Sequence, residues 1–139
     1  MRELQRLLTI GTFDLPHIGH AAFLRKCERF ADEVIVGVNT DAFVSSFKPE
    51  PPVFNQKERS DLIRILGYSV YINDGPGIAL IEQVNPSIIA VGSDWAKRDY
   101  YAQIATPVEY FEENEITLVY IPYTKGISST ALKARLRNA

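Results

Sequence analysis

The chain has a single cysteine, Cys27, so it can form no internal disulfide. That excludes a disulfide-stapled secreted domain and fits a reducing compartment. No apolar run is long enough to cross a bilayer. The N-terminal Met1-Arg2-Glu3-Leu4-Gln5-Arg6 has no signal-peptide apolar region. A basic excess is also missing: 15 Lys and Arg face 17 Asp and Glu, for a formal net charge of −2. General nucleic-acid binders are usually strongly basic, so neither a nucleic-acid nor a membrane partner is expected. Internal repeats and low-complexity tracts are absent. What remains is 139 residues, 46% hydrophobic and 23% charged, enough to build the core of one domain. The expectation is one intracellular, cytoplasmic domain over residues 1–139. Cys27 reads as a small buried apolar residue rather than a nucleophile.

Periodicity divides the chain into alternating strands and helices. Residues 7–10 read as a buried strand, 11–19 as a loop and 21–30 as a helix, with Phe23, Leu24, Cys27, Phe30 and Ala31 at helical spacing. The β-branched run 33–39 suits a strand covered on both faces. A short helix over 40–43 follows, then Lys48-Pro49-Glu50-Pro51-Pro52, which cannot continue a helix. Asn55 reads as the N-cap of a helix to Leu66, with Leu62, Ile65 and Leu66 turned inward. Further strands are expected at 69–72, 87–92 and 117–121, and a helix at 78–84. Thr106-Pro107-Val108-Glu109 reads as a capped helix start. A last helix begins at Ser128 or Ser129 and runs to Arg137. The strands all look buried. This predicts one doubly wound α/β domain with a parallel sheet of about five strands.

In such sheets ligands bind beyond the carboxyl ends of the strands, where the strand order reverses. The loops at 11–19, 39–54, 92–98 and 122–130 therefore matter most. The first reads Gly11-Thr12-Phe13-Asp14-Leu15-Pro16-His17-Ile18-Gly19-His20 and holds both histidines of the chain. A strand turning through such residues into a helix collects backbone N–H groups and a positive dipole end, a seat for an anion. His17 and His20, with Gly19 between them, can both aim at that anion and donate to phosphate oxygens. A metal site from the two histidines and Asp14 competes, but nothing else of ligand type clusters nearby. A purely structural surface pair is the other alternative.

Gly126-Ile127-Ser128-Ser129-Thr130 precedes the last helix and offers a second anion seat, although Ser128 or Ser129 could simply be an N-cap. Two such seats on one sheet edge would suit a nucleoside triphosphate. Lys48 stands in the proline-bounded loop, where a solvated lysine is the default. Asp94 could cap, bind a hydroxyl or help hold a metal. Trp95 could pack in the core or lean over a base.

The ordered set Gly11-Thr12-Phe13-Asp14, His17-Ile18-Gly19-His20 and Gly126-Ile127-Ser128-Ser129-Thr130 resembles the cytidylyltransferase branch of the nucleotidyltransferase superfamily. Asn39-Thr40-Asp41-Ala42-Phe43 and Gly92-Ser93-Asp94-Trp95 resemble segments of the glycerol-3-phosphate cytidylyltransferases, and the likeness covers nearly the whole chain. It implies a Rossmann-like fold, often homodimeric. It implies transfer of CMP from CTP to a phosphorylated small alcohol or sugar, with pyrophosphate released and Mg2+ bound mainly by the triphosphate. His17, His20 and Lys48 would then be catalytic, the histidines stabilising the α-phosphoryl transition state. Gly11, Thr12, Phe13, Asp14, Gly19, Gly92, Asp94 and Trp95 would form the nucleotide pocket. Ile127, Ser128, Ser129 and Thr130 would hold the β- and γ-phosphates.

The family pattern Arg-Thr-Glu-Gly-Ile-Ser reads Tyr123-Thr124-Lys125-Gly126-Ile127-Ser128 here. Lys48, Tyr123 and Lys125 are therefore the positions expected to meet the second substrate, and Lys125 lacks the planar fork of arginine. Two other functions stay open: an adenylyltransferase using ATP, and a nucleotide-binding module without catalysis.

Overall fold

The computed structural model describes residues 3–123 and 128–138. The expected apolar runs are strands: β1 (Arg6–Gly11), β2 (Glu33–Asn39), β3 (Ser69–Asn73), β4 (Ile88–Gly92) and β5 (Thr117–Ile121). All pair in parallel, in the order β3-β2-β1-β4-β5. The helices are α1 (Ile18–Cys27), α2 (Asp41–Ser45), α3 (Gln56–Ile65), α4 (Ile78–Val84), α5 (Tyr100–Gln103), α6 (Val108–Glu113) and α7 (Ser129–Arg137). Side chains alternate across the strands, so neighbours enter different cores. Leu7, Val34 and Val36 join Phe23, Leu24, Cys27 and Ile63 on one face. Leu8, Ile35 and Ile89 join Leu80, Ile81, Tyr100 and Phe111 on the other. The doubly wound five-stranded α/β domain is confirmed. Among the described residues no helix is long and apolar enough to cross a membrane.

Several local expectations are corrected. Only the inner strands are fully covered: β3 and β5 are edges, and Tyr71, Ile72 and Tyr120 are exposed. In α3 the buried face is Arg59, Ser60 and Ile63, whereas Leu62 and Ile65 point outward and Ile65 is 79% exposed. Thr106 caps nothing: its hydroxyl donates to the Ile104 carbonyl, and α6 starts after Pro107 without a side-chain cap. The segment after β4 folds into a short 3-10 turn (Ser93–Lys97) and α5, neither of which the periodicity announces. Cys27 is buried, and burial pushes its thiol up to about 12, as suits an inert core residue.

The sheet opens where its order reverses. β1 pairs with β2 along its whole length, from Arg6↔Glu33 to Gly11↔Val38. β4 stays paired with β5 up to Gly92↔Ile121. Between β1 and β4, however, only Leu7↔Ile88 and Leu8↔Ile89 are in register. Beyond them the carboxyl ends of the two strands part, leaving a cleft that the residues after Leu8 and Ile89 line.

A fully buried arginine on α3 holds the loops around this cleft. Asn55 and Glu58 close a capping box at the start of α3, and one turn in, Arg59 points to the sheet. Its side chain is 0% exposed. Arg59 Nε donates to the Phe54 carbonyl at 2.9 Å, and Nη1 donates to the carbonyls of Thr12 at 2.7 Å and Asn39 at 2.8 Å. Nη2 donates to Asp41 Oδ1 at 2.8 Å. One guanidinium thus ties together the segments that follow β1 and β2 and the one that precedes α3. Replacing it would orphan several acceptors at once, so Arg59→Met is expected to lower stability by about 3–5 kcal/mol, the scale of a broken buried pair. Urea denaturation checks this, and a loss under about 1 kcal/mol would contradict it.

Candidate active site

The β1–α1 loop turns through two non-glycine residues of positive φ, Phe13 at 52° and Leu15 at 46°. Such strain persists only where the surroundings enforce it. Asp14, 5% exposed, does much of the enforcing. Its carboxylate accepts from the amides of Leu15, Val53 and Phe54 at 3.0–3.1 Å and pairs with Lys133 Nζ at 2.6 Å. Burial raises the Asp14 pKa, but Lys133 and the Val53 and Phe54 amides outweigh it and hold the carboxyl below its ordinary value. Asp14 therefore binds the loop to α7 and to the proline-rich segment, and it does not line the cavity.

The two histidines begin α1, three residues earlier than periodicity suggested. His17 is the N-cap, in extended geometry, and its Nδ1 accepts from the Gly19 amide at 3.0 Å. His20 reaches back, and its Nδ1 accepts from the His17 amide at 3.2 Å. This is a capping box built from imidazoles instead of Ser and Glu. A backbone amide can only donate, so each Nδ1 presents its lone pair and each neutral ring carries its proton on Nε2. The rings stack at 3.9 Å between centroids, 25° apart. Phe13 packs against His20 at 5.4 Å. Burial lowers the pKa of His17. His20 is pushed down to about 4, by burial first and then by His17, with the Asp14 charge opposing. Both are neutral hydrogen-bond donors at pH 7. His17 Nε2 is buried with no partner. A buried N–H left unsatisfied in this way marks the place a ligand acceptor would complete.

The cleft between β1 and β4 widens into a cavity of about 460 Å3. It gathers Gly11, Thr12, Phe13, His20, Lys48, Gly92, Asp94, Trp95 and Tyr123 from four separate stretches of chain. His17 and Gly19 do not line the cavity; they join His20 through the capping box. Ser128 caps α7 by accepting from the Ala131 amide at 3.0 Å. Ser128 and Thr130 are exposed and are not among the described residues lining the cavity. The Ser129 side chain, Lys125 and Ile127 lie outside the described residues.

The cavity has two chemically different ends. Towards β2 and β3, buried Asn39 and Asn73 stand at the strand ends, and Asn73 Nδ2 donates to Asn39 Oδ1 at 2.8 Å. Lys48 lines this side, its pKa lowered by burial first and then by Lys133, with Asp14 opposing. Towards β4 the lining is mainly aromatic, with Trp95, Tyr100 and Tyr123, and Arg98 joins them, its guanidinium 5.3 Å from the centroid of the Trp95 ring. The Tyr123 hydroxyl faces the Asp94 carboxylate, and burial first, then Asp94, push its pKa up to about 12. The Tyr100 hydroxyl is buried without a partner, and burial raises its pKa. Among the described residues no three His, Cys, Asp or Glu side chains gather as a metal site, and Asp94 faces the Tyr123 hydroxyl.

Residues 8–135 match the cytidylyltransferase-like family. The chain belongs to that family. Among curated proteins it is similar to the bifunctional protein HldE. With that of Helicobacter pylori strain Shi470 it shares 29% identity over 135 residues, 94% of this chain and 27% of that protein. With that of Campylobacter curvus strain 525.92 it shares 30% over 142 residues, 99% of this chain and 28% of that protein. The chain thus spans little more than a quarter of these relatives' length. A lipopolysaccharide core biosynthesis protein from Thermoplasma volcanium has the same fold, with a TM-score of 0.71 at 22% identity, covering 88% of this chain and all of that one. Thermotoga maritima TmcAL, solved with α-thio ATP, gives a TM-score of 0.68 at 14% identity, over 97% of this chain and 51% of that one.

In this cytidylyltransferase-like chain several site residues escaped sequence reasoning. Asn73 ends an apolar strand run, a polar residue at the carboxyl edge, and that signal could have found it; Asn39 ends another and lies in a segment the resemblance marks without giving it a role. Arg59, Tyr100 and Lys133 carry no such mark. The neutral histidines also predict a pH dependence. An unfolded histidine protonates near 6.5, but folded His20 protonates only near 4. Between those values the unfolded chain binds more protons, so the His20 contribution to stability falls as pH drops from about 6.5 towards 4 and levels off below, where the loss from Asp14 takes over. His20→Asn keeps an acceptor at the Nδ1 position and should flatten that slope in urea titrations from pH 7 to pH 4.5. An unchanged slope would contradict the neutral, buried assignment.

Proposed function

We propose that the chain transfers a nucleoside monophosphate, CMP from CTP in the first instance, onto the phosphate of a small phosphorylated alcohol or sugar. The observation that carries this reading is the imidazole capping box: two neutral Nε2–H donors fixed by backbone amides at the start of a helix, beside a cavity with an aromatic end and an amide-lined end, each bearing a cation, Arg98 and Lys48.

The acceptor phosphate is already ionised, so no general base is needed. One of its oxygens attacks the α-phosphorus, the bond from that phosphorus to the bridging oxygen breaks, and pyrophosphate leaves with the electron pair. The barrier lies in bringing two anions together and holding the charge that develops, so positioning and fixed dipoles carry the catalysis. His17 and His20 donate to the α-phosphoryl oxygens. Lys48 lies on the acceptor side and offsets its charge. The start of α7, tied to the loop by Lys133 and Asp14, receives the β- and γ-phosphates. Mg2+ enters with the triphosphate as part of the substrate.

A second reading, transfer of AMP from ATP, is favoured by one observation: a neighbour of the same fold was solved with α-thio ATP. Pyrophosphate release separates the readings, measured with each nucleoside triphosphate and Mg2+ against a panel of phosphorylated alcohols and sugars. Release with CTP supports the first and release with ATP the second. Nucleotide binding with no release across the panel would leave a binding module. His17→Asn and His20→Asn keep the capping acceptor but remove Nε2–H. Each is expected to lower kcat/KM by about 100-fold or more, the scale of a lost oxyanion donor, with the fold intact by circular dichroism. A near-native rate in either variant would overturn the mechanism.

A further inference from the structure

Tyr123 stands where the family pattern has an arginine, and the proposed chemistry gives it no role. The chain leaves β5 and carries the Tyr123 ring across to the end of β4. There it fills the space a side chain at position 92 would occupy: a Cβ on Gly92 would lie 1.9 Å from Tyr123 Cζ and 2.0 Å from its hydroxyl. Only glycine permits this seat. The hydroxyl faces the Asp94 carboxylate. Phe23 supports the ring at 6.1 Å between centroids, 32° apart. Held in this way, Tyr123 is still 49% exposed and lines the cavity.

We propose that Tyr123 is the nucleobase platform of the cavity, a half-exposed tyrosine seated over Gly92 and facing Asp94, on which the base of the nucleoside triphosphate stacks. This rests on the nucleotidyltransferase reading above and assigns one of its subsites. A phosphate-binding role in place of the family arginine is disfavoured, because a neutral phenol facing a carboxylate offers an anion no positive charge. An acceptor role is disfavoured by position, since Lys48 and the two asparagines lie at the other end. The unpartnered, buried hydroxyl of Tyr100 lines the same aromatic end and is a polar group that a base edge can satisfy. Stacking tolerates every base, so the platform sets affinity for the nucleoside and leaves base choice to the edge contacts.

The test compares binding of CTP, ATP and inorganic tripolyphosphate, each with Mg2+, by titration calorimetry. Tyr123→Leu is expected to weaken both nucleotides about tenfold or more, ATP more than CTP because a purine covers more of the ring, and to leave tripolyphosphate unchanged. Tyr123→Phe keeps the ring and should stay within about threefold of the parent. Gly92→Ala displaces the ring without removing it and should reproduce the leucine pattern. Three results would overturn the platform while leaving the nucleotidyltransferase reading standing. They are equal losses for tripolyphosphate and nucleotide in Tyr123→Leu, tighter nucleotide binding in that variant, and unchanged nucleotide binding in it. A parent protein that binds neither nucleotide nor tripolyphosphate would overturn both.

Discussion

A single buried guanidinium organises the cleft edge of this protein. Arg59 reaches the sheet from α3 and satisfies backbone carbonyls at the ends of two different strands, Thr12 after β1 and Asn39 at the end of β2. Its opposite number is Asp14, almost as deeply buried. The two charges grip the same residue from opposite sides: the Phe54 amide donates to Asp14 and the Phe54 carbonyl accepts from Arg59. The proline-rich segment between α2 and α3 is therefore pinned at its far end, and Lys48 rides on the span between. Buried charge is costly unless fully partnered. Here the partners are backbone groups of the loops themselves, so satisfying the charges and placing the loops are one event.

The histidines show the same economy. An N-cap needs a side-chain acceptor and a capping box needs a second one. Imidazole supplies both through Nδ1, and the tautomer is thereby decided before any ligand arrives. Burial keeps the rings neutral, so they act as dipolar donors rather than as charges. A neutral donor does not bind the ground-state triphosphate as a cation would, which leaves more of its effect for the moment when charge develops. Strain at Phe13 and Leu15 is held in place by the bonds that Asp14 makes to Leu15, Val53, Phe54 and Lys133.

Much of the fold was legible in the residues. β-branched runs without polar alternation marked the inner strands, and Asn55 with Glu58 marked the start of α3. The errors share a cause: polar side chains doing work that patterning assigns to apolar ones. Arg59 takes an inward position on α3, and that turned the expected face by about one residue, exposing Leu62 and Ile65. Imidazoles replaced the usual caps, so α1 began earlier than expected. Thr106 gave its hydroxyl to a neighbouring carbonyl instead of to a helix start. In the site, the β1–α1 loop, Lys48 and the Gly92 segment were identified from sequence and do converge on one cavity. Asp14 was identified too, but its carboxylate serves the loops and not the cavity. Tyr100 and Arg98, also at the β4 end, depend on a short helix and a 3-10 turn too brief to show any period.

The two-residue register between β1 and β4 has a consequence for how such a protein changes over time. On one side lies a strip of sheet, β3-β2-β1, whose outer end is made of amides and Lys48. On the other lies β4-β5, whose outer end is mainly aromatic. The strips share only Leu7↔Ile88 and Leu8↔Ile89, deep below the cleft. A substitution at either outer end leaves the pairing of the other strip untouched. Under the proposed reaction its two substrates are in this sense on separate inheritances, and chains that share the histidine loop need share neither.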